Sequence, residues 1–472
     1  MTIQILSKKI VMVNNRLKIS LILRTSRVWL KIRIWKKSRV KSRVSFDYIW
    51  NFRLSNLYSS PDLNTYLKFH SQWDDAGLLW ETGRYYEAVA LRKDILHEVY
   101  EIAKVDYEGY APPLMEEWWT TRIGHLAVLG VFSLAQDLEI VPPKKRTLIL
   151  SEEVGNHELR EALKKEFVSV ASKGKPSWTQ LSQFWPLCEK MQLIRTKNDF
   201  IDQYELWETV FQKLNEDREV ESSGKGYLTL PDDYIEACTE RLNSNINSFE
   251  DNFVVVHIRG SRFWEDRRSQ TVSNYEKSIE YLIKEGYSVI RIGDSEMTPL
   301  TQRKGFLDLT RMGDGGRDLH AFLLACCKFM IGTTSGPSWI PPLFDKPVLM
   351  TNATSLGKIM LTTNKNSKYL PKQFKSKEEK WSLSRILTSR HAFSESSKRE
   401  LKSEGIDLIE NTEDEILAAT KEMVAQDRQN KITNTYPIHS MVRTIQDEFK
   451  SVGKGRFADS YLVENADWLL KT

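Results

Sequence analysis

Cysteine is scarce in this chain. The 472 residues include four, Cys188, Cys238, Cys326 and Cys327, none of them at metal-ligand spacing. So few thiols in so long a chain exclude a disulfide-stapled secreted fold and fit a reducing compartment. Long apolar runs are missing as well. The best candidate, residues 126–135, falls well short of the roughly 18 residues that a membrane span requires. Arg16, Lys18 and Arg24 interrupt the N-terminal stretch, so the uninterrupted apolar region of a signal peptide is absent too. Neither a GxxxxGK[ST] phosphate loop nor a DxD pair occurs. Acidic residues are wholly absent from 1–46, where 13 Lys and Arg stand.

That last absence makes the net charge of +5 misleading, because residues 47–472 carry 55 basic against 63 acidic groups. A mildly acidic body bears a strongly basic arm. Within the arm, cations alternate with Leu, Ile, Val, Trp29 and Trp35. Such a segment suits an anionic membrane surface, with apolar groups inserted and each cation contributing about 1 kcal/mol. A basic tail that binds RNA nonspecifically is the alternative. The interspersed Trp and Ile favour lipid, since neutralising phosphate does not need them. The expected location is cytoplasmic, peripheral on the inner face of the cell membrane, with no specific nucleic-acid partner.

The body is long enough for two or three domains at roughly 100–200 residues each. Hydrophobic content of 41% and charged content of 28% supply an ordinary core. After the arm (1–46), residues 47–115 carry a helical pattern with Gly83, Ala88 and Ala90 placed as in one tetratricopeptide unit. One such unit cannot stack a solenoid, so a helical hairpin is expected. Strands are then expected at 118–123, 146–150 and 168–172, with helices at 126–136, 156–167 and 199–215. This alternation points to a Rossmann-like domain at 116–225. The polar, Gly-containing stretch 222–231 reads as a linker. A second unit, 226–430, has strands at 254–258, 287–294, 329–332 and 347–350 with helices between them. Gly286 is placed to end one helix, and Thr412 with Glu415 forms a capping box for another. A helical tail, 431–472, follows. The fold class expected is α/β, with two doubly wound parallel sheets facing a cleft.

Chemistry concentrates at the expected strand ends. Val254, Val255, Val256 and Ile258 form a run of the kind buried on both faces of a sheet. His257, Arg259, Arg262, Arg267 and Arg268 arrive where that strand stops, and ligands bind outside the carboxyl ends of parallel strands. Guanidinium forks grip phosphate bidentately, so Arg259 first and Arg268 second are expected on a nucleotide-sugar diphosphate. His257 is either their partner or a hydrogen-bonded core histidine that orients the loop. Arg291, Gly293 and Asp294 close the next strand, where either Gly293 would admit a ligand and Asp294 would accept from ribose or base, or Gly-Asp is only a strand-ending turn. The turn Thr333-Thr334-Ser335-Gly336, with Pro337 at a helix start, reads as a phosphate cradle. Asp314 and Asp318 lack the further oxygen ligands a hard cation needs, so no cofactor and no obligatory metal are expected. In the first half, His125 at a strand–helix turn would contact the acceptor or simply start the helix, and Asn156 is placed similarly.

The HIR after a buried strand, Arg268 before Asn274-Tyr275, GYSVIRIGD, DLHAFLLACCKFMIGTTSG and ENTEDEI resemble a bacterial glycosyltransferase family of surface-polysaccharide, including lipopolysaccharide, biosynthesis. That family is similar in turn to the fucosyltransferase superfamily of the two-Rossmann-domain, GT-B type. The resemblance spans about 120–470 and is strongest over 253–350. It implies an inverting, metal-independent transfer of a hexosyl or deoxyhexosyl group from a nucleotide-diphosphate sugar to a glycan or lipid-linked acceptor. It makes Arg259 the diphosphate arginine, His257 its motif partner and Thr334-Ser335-Gly336 the phosphate turn. One departure stands out. A carboxylate follows H-x-R in that pattern, whereas Gly260 and Ser261 follow it here. Glu265 and Asp266 are the nearest substitutes for a catalytic base. A nucleotide-sugar-binding scaffold without turnover, and a non-glycosyl group transferase on the same layout, are the rival expectations.

Overall fold

A computed structural model describes residues 228–471 except 246–251, 261–266, 313–315, 355, 357–365, 378, 393–396, 430–436 and 449–455. It also describes parts of 71–98, 127–140 and 206–213 and four short strands between 147 and 202. The basic arm, the expected strand at 118–123, the turn with His125, the helix at 156–167 and most of the 222–231 linker lie outside the described residues.

In the first half, β1 (Thr147–Leu150) pairs in parallel with β2 (Ser169–Ser172), as the alternating pattern there predicts. A hairpin pairs β3 (Leu193–Arg195) with β4 (Phe200–Asp202). The single helix expected over 199–215 is corrected by this hairpin, for among the described residues of that stretch 200–202 are extended and 206, 209, 210 and 213 are helical. Phe200 and Ile201 prefer extended backbone, and Leu193-Ile194 offers them a short-range partner. Among the described residues this half holds two strand pairs, and the second full sheet of the expected two-domain arrangement is not seen. Ala127, Val131, Leu134 and Ala135 are buried in the same core as the main sheet.

The second half is organised by that sheet. Its strands are β5 (Phe253–Val256), β6 (Ser288–Arg291), β7 (Phe306–Asp308), β8 (Met330–Gly332), β9 (Val348–Ala353) and β10 (Lys368–Pro371). Beside β10 a small antiparallel sheet forms from β11 (Gln373–Ser376), β12 (Glu379–Lys380) and β13 (Ile406–Ile409). Finally β14 (Arg456–Phe457) returns to the main sheet. The order across the sheet is β7-β6-β5-β8-β9-β10-β14, every pair parallel. The chain therefore builds outward from β5 in one direction, then returns and builds outward in the other. The point of reversal lies between β5 and β8, and it is outside the carboxyl edge at such a point that open α/β sheets bind ligands.

Around these sheets the described residues form the helices α1 (Asp232–Asn245), α2 (Glu276–Lys284), α3 (His320–Cys326), α4 (Leu383–Thr388), α5 (Lys398–Ser403), α6 (Glu413–Gln429), α7 (Pro437–Glu448) and α8 (Asp459–Leu469). Ile279 and Leu282, one turn apart on α2, are fully buried. Each such side chain contributes about 1.5–3 kcal/mol when removed from water. Gly286 adopts φ +86° just past α2, as its position predicted. The Thr412–Glu415 capping box at the start of α6 is formed reciprocally. Lys368, at the entry to β10, reaches Glu422 at 2.5 Å and Asp459 at 2.9 Å. Burial pushes the Asp459 carboxyl up, but His439, Lys368 and Arg456 outweigh it and hold the group at about 2. This network fixes β10, α6 and α8 to one another.

At the other end of the strands a neutral network does the same work. Asn352 takes φ +52°, a backbone state that asparagine tolerates better than most residues. Its N–H donates to Asn411 Oδ1 at 2.5 Å, while Asn411 N–H donates back to Asn352 Oδ1 at 2.7 Å. Asn411 Nδ2 also donates to the Pro371 carbonyl at 2.9 Å. Replacing Asn411 by Ala takes the side-chain partner from two buried backbone groups, the Asn352 N–H and the Pro371 carbonyl. The expected cost is about 2–4 kcal/mol, measured as a lowered urea midpoint with unchanged slope.

Candidate functional site

The site grows from the end of β5. Its four residues are all buried, and the ladder continues one step further where His257 N–H donates to the Ile331 carbonyl at 2.9 Å. This step carries the chain to His257, 3% exposed, and then Arg259, half-buried at the edge. Across the crevice β8 ends at Gly332 and turns through Thr333, Thr334 and Ser335. His257 bridges the two elements. Its Nδ1 lies 3.2 Å from the Ile292 carbonyl and its Nε2 lies 3.1 Å from Ser335 Oγ. A carbonyl can only accept, so Nδ1 carries the proton and Nε2 accepts from the serine hydroxyl. Burial pulls this imidazole down to about 4, and it stays neutral near neutrality. So weak a base does not activate Ser335 as a nucleophile; the contact orients the turn instead.

Around the turn, small polar groups satisfy each other. Ser338 Oγ donates to the Thr333 carbonyl at 2.7 Å. A Cβ at Gly332 would stand 2.4 Å from that same Ser338 oxygen, which gives the glycine a packing reason. Thr351 Oγ1 donates to the Gly332 carbonyl at 2.9 Å, and Thr354 N–H donates to Thr334 Oγ1 at 3.2 Å. Thr333 Oγ1 and Thr354 Oγ1 are buried with no hydrogen-bond partner among the described residues. The expected helix start at Pro337 is corrected. Two 3-10 turns, Gly336–Trp339 and Pro341–Phe344, follow Ser335. The prolines at 337, 341 and 342 remove the N–H groups that a continuing helix would need. The cradle therefore consists of hydroxyls and one turn of backbone, without a helix dipole behind it.

The arginine loop leaves the edge after Arg259 and returns at Arg267. Its mouth is closed by Gln270 N–H donating to the Arg259 carbonyl at 3.0 Å. Arg267 is 1% exposed and donates to the His391 carbonyl at 3.0 Å. Arg268 is half-buried. Beneath the returning segment, Lys372 Nζ donates to the Ser269 carbonyl at 2.9 Å and lies 3.7 Å from Glu410. Glu410 in turn accepts from Thr271 N–H at 2.8 Å and sits 3.6 Å from Lys398. Burial pulls the Lys372 ammonium down to about 8, opposed by Glu410 and assisted by Lys398 and Arg267. Burial raises Glu410, but Lys372, the Thr271 N–H and Lys398 prevail and its pKa is lowered.

Of the expected donor residues, His257, Arg259, Thr333, Thr334, Ser335 and Gly336 meet at the reversal of strand order, with Arg268 on the loop beside them. Three others are placed differently. Arg291 is fully buried and faces Asp308 at 2.9 Å, its register partner on the adjacent strand. That aspartate also accepts from Leu300 N–H and from both donors of Thr310. The guanidinium is held within the sheet by this pairing and does not reach the edge. A Cβ at Gly293 would meet Met297 Sδ at 2.5 Å and Thr310 Cγ2 at 3.1 Å, so side chains already fill the space reserved there for a ligand. Asp294 is exposed and lies 3.6 Å from Arg317. His125, Glu265, Asp266 and Arg262 fall outside the described residues. Sequence reasoning missed Thr351, Thr354, Lys372 and Glu410. The signal available was weak, namely a polar residue directly after each of two short apolar runs, VLMTNAT and YLPK.

No protein-family profile and no curated protein matches this chain. Solved structures overlap it in part. A glycosyl transferase family 9 protein from Veillonella parvula is 11% identical, covering 47% of this chain and 77% of its own, with a TM-score of 0.30. The ADP-heptose lipopolysaccharide heptosyltransferase II of E. coli is 12% identical, covering 68% and 98%, with a TM-score of 0.39. TibC of enterotoxigenic E. coli, a dodecameric iron-containing glycosyltransferase, is 12% identical over 49% and 55%, with a TM-score of 0.26. The α/β assignment rests on the strand order itself. The expectation of no cofactor and no obligatory metal is overturned by the iron of TibC, and metal independence is not carried forward. Among the described residues no group of three or more His, Cys, Asp or Glu could hold a metal ion, and no helix is long and apolar enough to cross a membrane.

The buried imidazole makes a pH prediction. His257 binds its proton more weakly folded than unfolded, so its contribution is fully present above about pH 6.5 and is lost as pH falls toward about 4. Wild-type stability should drop by up to about 3 kcal/mol through that window from this group alone. His257→Gln should flatten the acid limb in urea titrations at stepped pH.

Proposed function

We propose that this chain is a glycosyltransferase that moves a hexosyl or deoxyhexosyl group from a nucleotide-diphosphate sugar to an acceptor hydroxyl. The observation that carries this reading is the His257–Ser335 contact at 3.1 Å. It joins the loop bearing Arg259 to the hydroxyl-lined turn at the one place where the strand order reverses, which is where open α/β sheets bind ligands. Arg259 and Arg268 supply charge for two phosphates, and the partnerless hydroxyls of Thr333 and Thr354 offer donors beside them.

In this reading the acceptor oxygen attacks the anomeric carbon from the face opposite the leaving group, which inverts the centre. The bond from that carbon to the diphosphate oxygen breaks as the new one forms. A carboxylate of the arginine loop, Glu265 or Asp266, or His125 takes the acceptor's proton. Arg259 and Arg268 stabilise the departing nucleoside diphosphate. His257 touches none of the reacting atoms and acts by holding Ser335. The acceptor would be a growing bacterial surface glycan or its lipid-linked precursor, in lipopolysaccharide or a related polymer. Residues 1–46 would hold the enzyme against the anionic inner face of the membrane that presents it.

A thermal-shift screen against UDP-, GDP-, CMP- and dTDP-sugars should identify one stabilising donor. Arg259→Ala should then lower turnover with that donor more than about a hundredfold while leaving the melting curve in place. Retained turnover would remove Arg259 from the donor site, and binding without turnover in the wild type would favour a scaffold. Separately, deleting 1–46 should abolish flotation with anionic liposomes and preserve activity on a soluble acceptor. Equal flotation of the two forms, or a salt-dependent shift with RNA instead, would refute the membrane role.

A further inference from the structure

The donor reading leaves one buried cluster without a part to play. Lys372 is fully buried just past the end of β10, far along the chain from the arginines of the loop. Buried lysines are rare and cost desolvation; Lys368 meets two carboxylates, whereas Lys372 shares Glu410 with Lys398 and has to be explained. Its ammonium lies 2.9 Å from the Ser269 carbonyl, and Lys398 Nζ approaches the same oxygen at 3.5 Å. Glu410 stands between the two lysines, 3.7 and 3.6 Å away, and its other oxygen holds Thr271 N–H at 2.8 Å. The residue between Ser269 and Thr271, Gln270, donates its N–H to the Arg259 carbonyl. Three consecutive backbone groups are thus gripped in sequence, and the middle one is the base of the arginine loop.

We propose that Lys372, with Glu410 and Lys398, is a positioning device that clamps the 269–271 backbone and so sets where Arg259 and Arg268 stand for the nucleoside diphosphate. Lys372 touches no substrate in this scheme. It acts through the Ser269 carbonyl, and the proposal rests on the donor reading given above. The grip on the carbonyl survives loss of the lysine proton, since a neutral amine still donates. The attraction to Glu410 does not survive it. Deprotonation therefore releases one side of the clamp and leaves Glu410 shared by Lys398 and Thr271 alone.

This gives the clamp a signature in pH. The groups facing Lys372 are Glu410 ahead of α6, Lys398 at the start of α5 and Arg267 on the loop, with burial the largest influence on its proton. Binding of a nucleoside diphosphate should weaken as pH rises through about 8. Two substitutions move that midpoint in opposite directions. Glu410→Gln keeps an acceptor for Thr271 but removes the charge that supports the ammonium, so the midpoint should fall. Lys398→Met removes a like charge, so the midpoint should rise. A residue that only filled space would show neither displacement.

The experiment measures the affinity of the full chain for UDP, GDP and ADP separately, by calorimetry from about pH 7 to pH 10, with a melting curve for each variant at each pH. Over that range the wild-type dissociation constant for the nucleotide that binds should rise about tenfold or more, with the two variants displaced to either side. A wild type that binds with no alkaline loss, or variants that share its midpoint, would overturn the clamp while leaving the donor site standing. If neither these three nucleotides nor dTDP binds the wild type at about pH 7, the donor reading itself fails, and the clamp falls with it.

Discussion

The carboxyl edge of a parallel sheet buried on both faces has to satisfy its polar groups without water, and the rest of this structure follows from how it does so. At β5 the solution is His257, whose two ring nitrogens bridge the β6 exit and the turn after β8. One neutral side chain thereby fixes the separation of three strand ends. At β9 and β10 the solution is the reciprocal pair Asn352 and Asn411, reinforced by Tyr275 against Thr351 at 2.6 Å. Water-free hydrogen bonds of this kind are geometrically demanding, because an unmet donor or acceptor costs about 1–3 kcal/mol. That demand is what holds a loop of arginines and a turn of hydroxyls in a fixed relation, and a fixed relation is what a diphosphate site needs.

Local signals in the sequence carried much of the second half. Val254 to Ile258 reads as a doubly buried strand because its neighbours are apolar without alternation, and it is one. Gly286 and the Thr412–Glu415 pair mark helix ends through backbone chemistry that needs no tertiary context. The closing strands escaped for the opposite reason. The KYLPKQFKS stretch looks half-solvated, yet Lys368 and Lys372 are buried against carboxylates tens of residues away. Arg291 misled in the same way. An arginine at a strand end beside Gly-Asp suggests a ligand, and only the register with Asp308 across the sheet shows that its charge is already matched. Sequence periodicity reports burial well and pairing poorly.

The two flanks of the crevice differ in charge balance, and the difference has a consequence for ligand choice. On the β6–β7 flank, Arg291 meets Asp308 one to one with both side chains fully buried, and the field beyond the sheet is small. On the β8–β10 flank, Lys372 and Lys398 share one carboxylate, Glu410. Burial above all, with Lys398 and Arg267 adding to it against Glu410, leaves Lys372 holding its proton less firmly than an exposed lysine would. On the proposed reading, an anion arriving at the edge would be drawn toward the arginine loop and the hydroxyl turn, and would gain little on the side of Gly293 and Asp294. The base and ribose of a nucleotide would then be left for the less charged flank, where contacts are polar and neutral. A buried lysine that shares its counter-charge is costly to folding, and on the proposed reading that cost is offset by the place it gives the arginine loop, so Lys372 would serve the function as well as the fold.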